Sequence, residues 1–231
     1  MADLCIIPAR GGSKRIPRKN IKDFLGKPVI AYSIQAALGS GLFSEVMVST
    51  DDAEIAGVAL EYGAKVPFMR SEKNADDHAT TFDVVEEVIN AYREAGRSFL
   101  NICCIYPCAP LVSAQHITAA YRRLTEEGLD SVFPVMAFSF PIQRALKMNG
   151  PHIEPLHREF VHTRSQDLEP RYHDAGQFYW AVTEALLKHR TFLMPATGGM
   201  VISETEAQDI DTMSDWHMAE LKYTLQHGIS G

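Results

Sequence analysis

Ile7-Pro8-Ala9-Arg10-Gly11-Gly12-Ser13-Lys14-Arg15-Ile16-Pro17-Arg18-Lys19-Asn20 continues an apolar run, residues 4–7, that reads as a first strand. The stretch sets two glycines, a serine and five cations at the end of that strand. Gly11 and Gly12 leave room for a ligand to approach the backbone, and their N–H groups line a concave anion site. Arg10, Lys14, Arg15, Arg18 and Lys19 repel one another unless a polyanion lies among them. The loop is therefore read as a polyphosphate cradle. It is not the dinucleotide fingerprint G-x-G-x-x-G, and Gly26-Lys27-Pro28 lacks the Ser or Thr of a Walker A loop.

Outward from the loop, short apolar runs alternate with helix-length amphipathic stretches. Residues 4–7 precede 29–38, 45–49 precede 53–62, 82–95 precede 100–105, and 115–126 precede 131–135. This βα alternation predicts an α/β fold, a mainly parallel sheet with helices on both faces, whose ligand site lies beyond the carboxyl ends of the strands. The rhythm breaks over residues 138–171, which hold prolines at 141, 151, 155 and 170, three histidines and little helical periodicity. That segment is expected to form an inserted hairpin or arm that packs on a partner subunit or covers a site. Regular structure is expected again as strands over 177–182 and 199–203 and helices over 184–189 and 213–225.

A chain of 231 residues can bury one substantial core, so a single domain spanning 1–231 with 138–171 as its arm is expected. A net charge of −7 speaks against nucleic-acid coating and makes the basic loop a local exception. Cys5, Cys103, Cys104 and Cys108 lack the spacing of a zinc site or a disulfide framework and read as buried thiols in a reducing compartment. No apolar stretch approaches the roughly 20 residues of a membrane helix, and no charged leader precedes the first strand. A soluble, cytoplasmic protein is expected.

Two further stretches carry chemistry. Asp209-Ile210-Asp211 in extended chain aims two carboxylates to one side and turns Ile210 into the core. Two carboxylates are what Mg²⁺ takes from a protein when phosphates and waters complete its shell. The same residues also suit an acidic turn before the last helix, with Asp211 or Ser214 as its N-cap. Residues 70–81 form a polar, turn-prone stretch in which Arg70 is placed to read a base or phosphate and Thr80 or Thr81 to cap the next helix. Asp52 reads as another N-cap. No serine stands in a G-x-S-x-G context and no Cys–His pair is apparent, so covalent catalysis finds no support.

These pieces, in this order, resemble the cytidylyltransferases that activate nine-carbon acidic sugars, the CMP-sialic acid synthetase family. Residues 7–20 are similar to its nucleotide-binding signature, Arg70, Ala79 and Thr81 to its cytosine-contacting segment, and Asp209-x-Asp211 to its metal pair. The resemblance covers nearly the whole chain. It implies a Rossmann-like fold, homodimers interlocked through the arm, CTP and an acidic nine-carbon sugar as substrates, and Mg²⁺ as cofactor.

By the same resemblance, Lys19 contacts the α-phosphate, while Arg10, Ser13 and the Gly11 and Gly12 amides hold the β- and γ-phosphates. Asn20, Arg70, Ala79 and Thr81 select cytosine, and Asp209 and Asp211 bind the metal. Tyr106, Gln177, Phe178 and Tyr179 face the sugar. Tyr106-Pro107-Cys108-Ala109-Pro110 departs from the family's Gln-Pro-Thr-Ser-Pro, and 163–170 with 173–179 resemble a sister branch whose sugar is not sialic acid. Legionaminic, sialic and 3-deoxy-octulosonic acids stand as alternative acceptors. A CTP-binding regulator without chemistry is the alternative of another class, and retention of both Asp209 and Asp211 speaks against it.

Overall fold

The computed structural model describes residues 2–76 and 78–228. In chain order the strands are β1 (Leu4–Pro8), β2 (Asp23–Phe24), β3 (Lys27–Pro28), β4 (Glu45–Ser49), β5 (Asn101–Ile105), β6 (Ser131–Ala137), β7 (Leu146–Asn149), β8 (His152–Pro155), β9 (Tyr172–Asp174), β10 (Phe178–Val182) and β11 (Thr197–Val201). The helices are α1 (Val29–Ser40), α2 (Ala53–Glu61), α3 (Thr81–Glu94), α4 (Ala114–Glu126), α5 (Thr183–His189) and α6 (Met213–His227).

The main sheet runs β11-β6-β10-β5-β1-β4, with β9 beside the far half of β6. Its strands are parallel except β9 and β10, which run against their neighbours. A parallel sheet covered on both faces needs strands that are apolar on both sides. β1 meets this: Cys5 and Ile7 pack toward α1, α2 and α4, while Leu4 and Ile6 pack toward α3 and α5. The predicted α/β sheet with helices on both faces is the one observed. β10 enters antiparallel because the chain returns from β6 through the 138–171 segment and β9, with no crossover helix to reverse it. The expected strand over 199–203 begins two residues earlier, at Thr197.

A third apolar cluster lies beside the sheet. Phe24, Val29 and Tyr32 meet Trp216 and Ala219 of α6, and Ile16 and Ile210 complete it. Within 138–171, β7 and β8 form an antiparallel hairpin whose Leu146, Met148 and Ile153 stay exposed.

Trp180 of β10 anchors the helix layer on one face. It is fully buried, its indole N–H donates to the Ile117 carbonyl at 3.0 Å, and its ring stacks on Phe43 at 5.1 Å. Trp180→Ala is expected to cost about 3–5 kcal/mol of stability, the usual range for emptying an aromatic core site. Urea unfolding followed by circular dichroism measures it.

Candidate active site

The basic loop leaves β1 at the carboxyl edge of the sheet, pinned where the Ala9 N–H donates to the Ser49 carbonyl at 2.9 Å. A tight turn follows, with the Ser13 N–H donating to the Gly11 carbonyl at 3.0 Å. A Cβ on Gly11 would lie 2.7 Å from Asp52 Oδ2, so only glycine fits there. The Gly11 N–H donates to Asp51 Oδ1 at 2.9 Å.

Asp52 caps α2 as expected, accepting from the Glu54 and Ile55 N–H groups, and it also holds the Arg18 guanidinium at 2.5 Å. Arg18 reaches Glu54 as well, and its backbone lies in the left-handed region, φ 56°. The Arg18 hydrogen bond keeps the Asp52 carboxyl below the usual carboxylate range. Arg18 is thus a strut between the loop and α2, while Arg10, Ser13, Lys14, Arg15 and Lys19 line a cleft of about 390 Å³.

Asp209 and Asp211 line the opposite wall. Ile210 between them is 1% exposed and lies in the third cluster, which turns the two carboxylates away from the core. The α6 cap is neither Asp211 nor Ser214: Thr212 accepts from the Asp215 N–H, and the Asp215 carboxylate returns to Thr212. Asp211 is thereby free of capping and accepts Arg15 Nη2 at 2.8 Å instead.

Lys19 Nζ donates to the Ile210 carbonyl at 2.6 Å and lies 4.0 Å from Asp211 Oδ1. Burial, and next the charge of Asp211, push the Asp209 carboxyl up, against the pull of Lys19. Gly176 turns beside Asp209 at φ +65°, a backbone conformation that favours glycine.

Two hard oxygen donors side by side on one wall of a cation-lined cleft suit a divalent ion bound together with phosphate. Among the described residues no group of three or more His, Cys, Asp or Glu gathers to hold a metal, so Asp209 and Asp211 would leave the other positions to phosphate and water.

The inner end of the cleft is lined by Asn20, Arg70, Ala79, Thr80, Thr81 and Tyr106. Arg70 is buried and fixed by its Nε donating to Ser49 Oγ at 3.1 Å and its Nη2 to the Ser49 carbonyl. Asn20 donates to the Arg10 carbonyl at 2.8 Å and accepts from Cys108 Sγ at 3.1 Å. The Ala79 N–H is spent on Asp76 Oδ1 at 2.8 Å, which leaves its carbonyl for a ligand. Thr80, rather than Thr81, caps α3. Arg10 Nη1 donates to the Asp76 carbonyl at 2.9 Å and so ties this segment to the basic loop.

A second cleft, of about 640 Å³, adjoins the first, with Thr81 and Tyr106 lining both. Phe133, Asp174, Tyr179 and Phe192 form much of its wall, and the Tyr106 and Tyr179 rings lie 5.3 Å apart. Of the residues expected to face a sugar, Tyr106 and Tyr179 are here; Phe178 and Gln177 line neither cleft. Successive side chains of a strand point to opposite faces, so Phe178 goes into the core beside Trp180 when Tyr179 faces the cleft. Gln177 is 1% exposed and donates to the Glu206 carbonyl at 2.7 Å, bracing the segment that leads to Asp209.

Two cleft residues escaped the sequence reading. Arg15 was one cation among five, and only the fold brings it onto Asp211. Asp174 stood unassigned between the arm and the Gln177–Tyr179 stretch, yet its Oδ2 accepts the Tyr179 hydroxyl at 2.7 Å. Cys108 also lines the first cleft, and burial pushes its thiol up to about 12, which keeps it protonated and unreactive.

A glycine turn ending the first strand of a mostly parallel sheet, faced by a carboxylate pair, defines a nucleotidyltransferase. The family model described as Cytidylyltransferase matches residues 4–154, and the chain belongs to that family. It is 42% identical over 228 residues to a pseudaminic acid cytidylyltransferase of Campylobacter jejuni, covering 98% of each chain. It is 32% identical to a CMP-N,N'-diacetyllegionaminic acid synthase of Legionella pneumophila, covering 95% of each. The fold matches that of a CMP:2-keto-3-deoxy-manno-octonic acid synthetase complexed with CTP, with a TM-score of 0.72, 17% identity and coverage of 99% and 100%.

The raised Asp209 carboxyl carries a stability consequence. The folded chain binds its proton more tightly than the unfolded chain does, so its contribution to stability falls as pH rises through the raised value. Asp209→Asn is expected to melt above the wild type at neutral pH in metal-free buffer, with the gap closing as pH falls below the ordinary carboxylate range. Thermal melts across pH measure it.

Proposed function

We propose that the protein transfers the cytidylyl group of CTP to the anomeric hydroxyl of a nine-carbon acidic sugar, pseudaminic acid above all, releasing pyrophosphate. What carries this reading is one cleft that joins the basic loop, the Asp209–Asp211 pair and the Arg70–Thr81 segment, with an aromatic cleft opening from it. The likeness to the Campylobacter jejuni enzyme over nearly the full length supports pseudaminic acid as the acceptor. The cytoplasm, where CTP is available, is the proposed compartment.

The acceptor hydroxyl gives up its proton to solvent and attacks the α-phosphorus, a new P–O bond forms, and the bond to the β-phosphate breaks with its electrons leaving on pyrophosphate. Catalysis of this kind is chiefly alignment and charge stabilisation. Lys19, held at the Ile210 carbonyl between the two carboxylates, is placed to neutralise charge growing on the α-phosphate. Arg10 and Ser13 would hold the departing phosphates with the Gly12 amide, and the Gly11 amide joins them by exchanging Asp51 for a phosphate oxygen.

Arg70, Asn20, the Ala79 carbonyl and Thr81 surround the position of the base. Asp209 and Asp211 are the residues that would hold Mg²⁺. The bound cation supplies screening of the triphosphate and a lower pKa for the attacking hydroxyl.

Pyrophosphate release with CTP and a panel of pseudaminic, legionaminic, sialic and 3-deoxy-octulosonic acids tests the reading, with the highest kcat/KM expected for pseudaminic acid. Tight CTP binding with no release for any of them would leave a regulator instead. In the same assay Asp211→Ala and Lys19→Ala are each expected to lower kcat at least about 100-fold, the scale of losing a principal charge-stabilising group. A rise in KM for CTP alone would make Lys19 a ground-state contact.

Homodimerisation through the 138–171 arm is part of the proposal, supported by Phe140 at 85% and Met148 at 73% exposure on a segment with no core of its own. Light scattering is expected to give twice the chain mass, and Phe140→Glu with Met148→Glu half that value.

A further inference from the structure

Of the five cations in the basic loop, Arg10, Lys14, Arg15 and Lys19 line the nucleotide cleft and Arg18 does not. Arg18 turns instead to Asp52, which does not line the cleft either. Its Nη1 donates to Asp52 Oδ2 at 2.5 Å and its Nη2 to Asp52 Oδ1 at 3.3 Å, the two-bonded pairing that a guanidinium and a carboxylate favour. Nη2 also meets the exposed Glu54. The same Asp52 Oδ2 bears on the other end of the loop, lying 2.7 Å from where a Cβ on Gly11 would stand. Both ends of the loop therefore rest against one carboxyl group.

Asp52 serves as a post because it is itself fixed. Its N–H donates at 3.1 Å to Oγ1 of Thr50, which is fully buried just past the end of β4. Its Oδ1 accepts the Glu54 and Ile55 N–H groups of α2 at 2.9 and 3.1 Å. β4 and α2 both belong to the core, whereas of residues 11–18 only Ile16 joins an apolar cluster. A loop with so little apolar burial takes its position from polar contacts, and its like charges would spread it if those contacts were cut. Lys19 follows Arg18 directly, and the Ile21 N–H donates to the Arg18 carbonyl at 3.0 Å, so the place of Arg18 sets the start of the turn that carries Lys19 and Asn20.

We infer that Asp52 is the positioning residue of this loop: through Arg18 it sets how tightly the β- and γ-phosphates are held, without touching the nucleotide. The inference rests on the proposed seat of the triphosphate at the basic loop, and it does not depend on which sugar is the acceptor.

As a charge and as a post, Asp52 acts in opposite directions. An anion near a triphosphate weakens its binding, so losing the charge alone would tighten CTP. Losing the hold on Arg18 weakens CTP. Asp52→Asn separates the post from the cap. Asparagine caps helices as well as aspartate does, and its Oδ1 keeps the two α2 amides. Its N–H₂ then faces Arg18 Nη1, donor against donor, while the side chain keeps its size beside Gly11.

The test is equilibrium binding of CTP and of CMP, in one Mg²⁺ buffer, to wild type, Asp52→Asn, Arg18→Gln and the double variant. CMP lacks the β- and γ-phosphates and reports on the rest of the site. Asp52→Asn is expected to lower the CTP-to-CMP affinity ratio about fivefold, the upper end for a partly exposed ion pair of good geometry. It is expected to lower the ratio no further in the Arg18→Gln background, where the post has nothing to hold. An unchanged or raised ratio makes Asp52 a cap and a charge only, which overturns the inference. Equal weakening of CTP and CMP shows a general loosening of the fold and overturns it as well. The same drop in both backgrounds means that Asp52 does not act through Arg18, and the inference is wrong. If the wild type binds CTP no more tightly than CMP, the phosphates are seated elsewhere and the inference falls with that placing, while pyrophosphate release in the sugar panel still reports on the reaction.

Discussion

The burial of Ile16 and Ile210 in one apolar cluster is the contact on which the site depends. Ile16 belongs to the basic loop and Ile210 separates the two carboxylates, so stretches nearly two hundred residues apart are drawn together against Phe24 and Trp216. The two isoleucines are 2% and 1% exposed, and hiding each from water contributes roughly 1.5–3 kcal/mol. The polar contacts then need no separate search. With Ile210 inward, its carbonyl meets Lys19 Nζ at 2.6 Å and Asp211 meets Arg15. An apolar contact behind the cleft sets the geometry of the charges within it.

Under the proposed function part of that charge would change partners on ligand binding. Five cations in one loop would repel one another, and the fold answers part of that repulsion internally: Arg18 lies on Asp52 and Glu54, and Arg15 on Asp211. The Arg18 contact is structural, since the same Asp52 caps α2 and sits against Gly11. Under the proposed function the Arg15 contact borrows a carboxylate that the metal would claim, and a triphosphate arriving with its cation would give both groups new partners at once. Asp51 on the Gly11 amide has the same character, an internal anion at a donor suited to an external one.

How much of this was legible in the sequence follows from which features are local. The βα alternation was, because β1, β4 and β5 are short, mainly apolar runs and helices α3 and α4 are amphipathic. The basic loop was, because glycine and cation spacing in one short stretch has few other uses. The direction of β10 was not, since direction is set by the path of the connection rather than by side-chain pattern. Phe178 was placed at the sugar by resemblance along a run of three residues, whereas the two-residue period of a strand allows only alternate ones to face one cleft. Asp211 and Ser214 both suit the cap of α6 by residue type because an N-cap preference cannot choose among neighbours; Thr212 takes it through the reciprocal bond with Asp215.

The interruption between β9 and β10 connects these observations. The two strands lie along the same side of β6 and would form one continuous strand but for Ala175, Gly176 and Gln177. Each part of that break has a separate task. Gly176 turns with positive φ beside Asp209 and donates to Asp174, Gln177 holds the Glu206 carbonyl, and the Gln177 carbonyl accepts the Tyr106 N–H at 2.8 Å. An unbroken strand would lie flat against β6 and touch neither the carboxylate segment nor Tyr106. The break therefore places the wall of the aromatic cleft, the approach to Asp209 and the backbone of Tyr106 on one short turn. A change at Gly176 or Gln177 bears on both clefts, and it is the positive φ of Gly176 that calls for glycine there.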